Sequence, residues 1–178
     1  VDTPNLLAYL SGVSGYGIGT YSLAWDFYDV FPGSADLITP DFSTVGVPYP
    51  TLSFDWAYAA YSAAEIDELD IYYSTDAGVT WTTLLAMPGG TTGIINPLGL
   101  VTTSFFVPTA SQWSTMKLAL PAGTNMIKFT GVSAFGNVLW LDNVKIGDTF
   151  FDTFENPPYT FPGQVACQNP TNWTTWSN

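Results

Sequence analysis

The chain reads as an all-β protein, an antiparallel sandwich or jelly roll. Three observations predict it. Apolar residues recur at every second position through successive segments, and turn-forming clusters separate those segments at regular spacing. No stretch carries a convincing amphipathic-helix period. With 178 residues, 47% hydrophobic and 16% aromatic, the chain has material for one well-buried domain and does not have the composition of a disordered segment.

The elements follow in order. In TLSFDWAYAAYS, residues Leu52, Phe54, Trp56 and Tyr58 share one face of a strand, and Ser53, Asp55, Ala57 and Ala59 share the other. Tyr58 to Glu68 contains helix-forming alanines, but their pattern fits close packing or a loop. Leu69, Ile71 and Tyr73 alternate again. So do Ile127 and Phe129, with Lys128 pointing away. VLWLDNVKI, residues 138–146, is more continuously apolar, as a strand near a sheet centre would be. Turns are marked by PGSAD (32–36), MPGG (87–90), LPAGTN (120–125) and AFGN (134–137). After residue 148 the composition shifts to Pro, Asn and Thr. We therefore divide the chain into a jelly-roll module at 1–148, its start incomplete, and a segment at 149–178. That segment either begins a second β module or packs on the first, because Trp173 and Trp176 need a core.

Composition removes several classes of function. Fifteen acids face three lysines, with no arginine and no histidine, for a net charge of -12. Such a surface repels nucleic-acid phosphates and anionic membranes but suits hard cations such as calcium. Without histidine there is no Ser-His-Asp or Cys-His pair and no His-bearing zinc site. Cys167, the lone cysteine, forms no internal disulfide. No apolar run spans a bilayer, and the first residues lack a signal-peptide pattern. Because the chain opens on Val1 without a methionine, we expect a mature or excised piece of a longer polypeptide.

Metal-free catalysis would then rest on carboxylates, and three groups of acids come into question. STDAGVTW has the S-x-D-x-G-x-T-W spacing of an Asp-box, with Ser74, Asp76, Gly78 and Trp81 at its fixed positions. Its chemistry is local. Asp76 accepts backbone N–H bonds within the turn, Gly78 takes a positive φ, and Trp81 packs beneath the hairpin. A propeller would repeat the motif; here it occurs once, so it marks a hairpin. Glu65-Ile66-Asp67-Glu68-Leu69-Asp70 is similar to the E-x-D-x-x-E strand of laminarinase-like retaining glycosidases, with Glu65 as nucleophile, Asp67 tuning it and Asp70 as acid/base. Against catalysis, Asp70 is one methylene short, and alternation places it on the face opposite Glu65 and Asp67. Asp142, inside an apolar strand, needs a partner if buried; calcium or a surface position would serve. Exposed aromatics are the remaining candidates, with Trp25, Tyr28, Tyr61 and Tyr72 foremost, because ring faces stack on sugars.

Taken together, GYGIGTYSLAWDFYDV, ADLITPDFS, PTLSFDWAYAAY, DELDIYYSTDAGVTWTTL, FVPTASQWSTMKLALP and LWLDNVKIG resemble the MAM-like, choice-of-anchor or cleaved-adhesin jelly-roll modules. The resemblance covers Gly15 to Gly147. It implies a concanavalin-like jelly roll that serves as an accessory module of secreted or surface proteins in type IX-secreting bacteria. It also implies a structural calcium, with Asp36 and Asp142 as ligands by position and a glutamate from an opening Phe-Glu motif. That motif is absent before Gly15, but DTFEN occurs at 152–156. If Glu155 serves this module, the order of the chain is permuted.

The function expected is a non-catalytic adhesive or carbohydrate-binding module, secreted or on the bacterial cell surface, joined to neighbouring domains. Its partner would be a glycan or a surface protein. The alternatives are a small retaining glycosidase using Glu65, Asp67 and Asp70, or a structural spacer.

Overall fold

In the computed structural model, residues 7–29, 33–148, 150–155 and 174–177 are described. Cys167 and Trp173 lie outside them. Among the described residues, eleven strands run β1 Leu7–Ser11, β2 Tyr21–Trp25, β3 Gly33–Ile38, β4 Thr51–Tyr58, β5 Glu68–Ser74, β6 Thr82–Pro88, β7 Ser114–Ala119, β8 Met126–Ser133, β9 Leu139–Ile146, β10 Phe150–Asp152 and β11 Thr174–Ser177. Two short 3₁₀ turns, Gly15–Gly17 and Ala110–Gln112, are the only helical pieces among the described residues.

Every pairing between these strands is antiparallel. One sheet has the order β1-β2-β9-β4-β7, with β10 also paired to β9; the other has the order β11-β3-β8-β5-β6. This is the all-β sandwich expected from the patterning. Between the sheets lies the main core, in which Leu23, Trp25, Leu52, Phe54, Leu139 and Leu141 of the first sheet meet Leu37, Leu69, Ile71, Ile127 and Phe129 of the second. Phe54 and Phe129 touch edge to face across the layer, with ring centroids 5.4 Å apart. Each such side chain, fully buried, contributes on the order of 1.5–3 kcal/mol.

The sheets differ in what covers their outer faces. In β9 the first four residues are all buried, because the outer face of the sheet is covered there as well as the inner one. On the outside, Phe106 and Trp113 pack with Ala24, Ala57, Ala59, Val138 and Trp140 in a second apolar cluster. Buried asparagines hold the covering loop. Asn137 accepts the Phe106 N–H and donates to Thr102 and Ser104 carbonyls. Asn96 donates to the Gly90 and Leu100 carbonyls. β8, at the centre of the other sheet, instead alternates strictly between buried and partly exposed residues. There Lys128 and Thr130 stand on the outer face.

Candidate functional site

The acids of the Glu65–Asp70 segment do not converge on a cleft. Strand β5 begins only at Glu68. Ahead of it, Glu65 accepts a hydrogen bond from the Ser62 hydroxyl. Asp67 is 0% exposed, and its carboxylate accepts four hydrogen bonds: from the N–H groups of Ala134, Gly136 and Asn137 and from the Tyr58 hydroxyl, at 2.9–3.1 Å. Burial raises its pKa above the ordinary value, although the three backbone donors and Tyr58 oppose the shift. This is a structural knot tying the AFGN turn to the end of β4. Asp70 lies on the outer face of β5, where it accepts the Tyr72 hydroxyl at 3.0 Å.

A second acidic group sits beneath the covered sheet's outer layer. Asp55 of β4 stands directly opposite Asp142 of β9. Between Asp142 and Lys145 the register slips by one residue, and Asn143 takes up the extra position with φ of 51°. This bulge lets Leu141 and Val144 both face the core while Asp142 turns outward. Asp142 accepts the N–H of Gly15 at 2.6 Å and of Asn143 at 2.6 Å. Asp55 accepts the Asn143 side-chain amide at 2.7 Å and the Thr115 hydroxyl at 2.5 Å. Both are buried. Burial, with smaller contributions from the charges of Glu155 and Asp55, pushes the Asp142 carboxyl up to about 7.

Glu155 reaches this region from the far end of the described chain. Phe154 is completely buried in the main core, and the Glu155 carboxylate accepts the Thr20 N–H at 2.8 Å and the Tyr21 N–H at 3.1 Å. Gly19 is required beside it: its φ is +104°, and a β-carbon there would lie 2.2 Å from Glu155 Oε1. The sequence pattern does not single out Asp55, whereas Glu155 is the DTFEN glutamate that a permuted module would use. A signal for Asp55 did exist, since it is a lone carboxylate in an apolar strand, as Asp142 is.

Asp36 stands elsewhere, which corrects the pairing expected for it. It lies on β3 in the other sheet, 3.5 Å from Lys128 Nζ, and accepts the Thr130 hydroxyl at 2.6 Å. Antiparallel register places it across from Thr130, so its neighbours are fixed by the strand pairing rather than by Asp142.

The donor set around Asp142 fits a hard cation in its chemistry. Two buried carboxylates face each other, the charge of Glu155 helps to raise one of them, and none of the three forms an ion pair among the described residues. No three acids among the described residues cluster closely enough to hold a metal alone. Backbone carbonyls and water would have to supply the remaining oxygens of a calcium shell.

The aromatic candidates separate by burial. Trp25 is 0% exposed and donates its indole N–H to the Ala35 carbonyl across the sandwich, so it is a core residue and not a ligand platform. Tyr28 and Tyr61 are half-buried, and Tyr28 packs on both Tyr61 and Phe105. Tyr72 lies on the open face of β5, and here the structure adds residues that sequence patterning had assigned to the hairpin or passed over. Lys128 Nζ lies 4.7 Å from the Tyr72 ring centroid and 5.2 Å from that of Trp81. A groove of about 370 Å³ runs beside it, lined by Asp36, Ile38, Ala77, Gly78, Trp81, Met126 and Lys128.

No protein-family model matches the sequence, and no curated protein matches it. The fold is similar to that of the K1 cleaved adhesin domain of Lys-gingipain from Porphyromonas gingivalis, with a TM-score of 0.54, 17% identity, and coverage of 80% of this chain and 90% of that one. The K3 cleaved adhesin domain of the same protein matches with a TM-score of 0.50 and 18% identity, over 81% of this chain and 92% of that one. The likeness is one of fold.

Proposed function

We propose that this chain is a non-catalytic binding module of a secreted or cell-surface multidomain protein, adhesive towards glycans or surface proteins. The observation that carries the reading is the asymmetry of the sandwich. A loop layer covers the outside of one sheet around Trp140, on β2, β4 and β9, while the other sheet's outer face carries no such layer among the described residues and sets Tyr72, Trp81, Lys128 and Asp36 together there. Of the acids that could have cut sugar, Asp67 is engaged in holding a turn, Glu65 accepts the Ser62 hydroxyl, and Asp70 stands on the outer face of β5 against Tyr72. Fold-level likeness to adhesin domains supports the reading only by analogy.

The test is retention of the purified protein on immobilised glycans and surface proteins, paired with assays for polysaccharide cleavage. Binding without turnover is expected. Cleavage that disappears in Glu65→Gln or Asp70→Asn would overturn it, and absence of retention on every surface would make the module a spacer.

Calcium belongs to the same proposal as a structural ion. Asp142 and Glu155, with Asp55 beside them, would hold it, and its charge would relieve the burial of two facing carboxylates. Glu155 then takes the place expected for the glutamate of an opening Phe-Glu motif. The ion's role would be to fasten the 154–155 segment and the loop at Gly15 to β9.

A further inference from the structure

The groove on the open sheet face has a more specific chemistry than binding in general. We propose that it is a subsite for one ring of a neutral sugar polymer, with Trp81 as the stacking surface and the Asp36–Lys128 pair as the hydroxyl reader. The proposal rests on the reading of the chain as a binding module.

The wall of the groove is apolar where a sugar ring is apolar. Trp81, Met126 and Ile38 present carbon and sulfur surface, and Trp81 is held in place by the hairpin turn: a β-carbon on Gly78 would lie 3.4 Å from its ring and 3.2 Å from the Met126 sulfur. The centre is polar where a sugar is polar. Lys128 Nζ has three donors, and its 3.5 Å approach to Asp36 is an ion pair but too long for a strong hydrogen bond. Its other near neighbours are ring faces. The ammonium therefore keeps donor capacity for a ligand oxygen. Asp36 Oδ1 is bound by Thr130, and its carboxylate still has lone pairs to accept from a hydroxyl. A donor and an acceptor side by side match the adjacent hydroxyls of a pyranose.

Charge selects among the possible occupants. Within the groove one carboxylate offsets one ammonium, while Asp70 and Glu68 lie on the same sheet face and the whole chain carries -12. An anionic polymer would be repelled by that surround. A basic peptide would meet Lys128 at the groove's centre. A neutral polyol meets neither penalty. The volume, about 370 Å³, stands at the small end of ligand clefts, which run from roughly 300 to 1,000 Å³.

The experiment is affinity electrophoresis of the full chain in gels containing amylose, mannan, xylan, a β-1,3-glucan or, as an anionic control, polygalacturonate. The wild-type protein is expected to be retarded by at least one neutral polymer and not by the control. Lys128→Met, which keeps the aliphatic stem against the rings, and Trp81→Ala are each expected to weaken retardation about tenfold or more. Near-UV circular dichroism checks that each variant is folded, and Lys128→Met decides if Trp81→Ala is not. Retardation unchanged in folded Lys128→Met overturns the groove while leaving the binding-module reading intact. Retention on protein surfaces alone, or preferential retardation by polygalacturonate, overturns the neutral-sugar assignment. Retention on no surface at all removes both.

Discussion

Asp67 illustrates how a carboxylate can look catalytic in a sequence and be structural in the fold. Its four hydrogen bonds leave three backbone N–H groups and one tyrosine hydroxyl without partners if it is removed. Asp67→Ala should therefore cost about 3 kcal/mol or more, read as a fall in the urea midpoint. Asp67→Asn should also destabilise, because its amide N–H₂ would face donors. The pH dependence has a definite sign. The folded pKa of Asp67 is raised above 3.8 by burial, so as pH rises through 3.8 the unfolded chain loses its proton first. The stability assigned to this group then falls with rising pH until the folded pKa is passed, and is flat above it. Urea midpoints followed upward from about pH 3 should show that slope in the wild type and a shallower one in Asp67→Asn. Parallel slopes would show that Asp67 is not its source.

At the scale of elements, the hairpin and the 154–155 segment behave oppositely. The Ser74–Trp81 turn closes on itself: Asp76 accepts the Ser74 hydroxyl at 2.7 Å, the Thr80 N–H at 2.9 Å and the Thr80 hydroxyl at 2.6 Å. These bonds, those of Thr80 foremost, hold the Asp76 carboxyl down at about 2. Its contribution is complete above the unfolded value of 3.8 and disappears as pH falls through about 2, so amide exchange at Gly78 and Thr80 should accelerate over that window. Unchanged exchange there would remove Asp76 from the account. Phe154 and Glu155, by contrast, stabilise a site some 135 residues away in the chain. Phe154→Ala should cost about 3–5 kcal/mol as a core truncation. Glu155→Ala should act locally, raising amide exchange at Thr20 and Tyr21, and equal exchange rates would show that the segment does not clamp β2. This difference explains what was legible beforehand. Strands β8 and β9 announce themselves by alternation and by a continuous apolar run, and the hairpin by residues whose partners lie within a few positions. The Asp36–Lys128 pair and the Asp55–Asp142 pair are products of strand register, which no local pattern states. Trp25 misled because a tryptophan near a strand end reads the same whether its indole finds a buried carbonyl or a ligand.

For the whole molecule the decisive quantity is how its negative charge is balanced. Fifteen acids, offset by only three lysines, repel one another across the surface, and the two facing carboxylates at Asp55 and Asp142 add a buried share of that cost. Any added salt should raise stability by screening the surface, so the effect of calcium must be measured against magnesium at equal ionic strength. A specific ion present at about a hundred times its dissociation constant stabilises by roughly 2.7 kcal/mol. For a chain of this size each kcal/mol moves Tm by about 2–4 °C, so calcium should raise Tm by about 5 °C or more over magnesium. EDTA should abolish the increment. Asp142→Asn should be folded without calcium, since it exchanges a buried charge for a neutral amide, and should gain nothing when calcium is added. Equal Tm in calcium, magnesium and EDTA would instead mean that the hydrogen bonds from Gly15 and Asn143 are the only partners Asp142 has. The Gly15 loop and Glu155 would then be held to β9 without a cation.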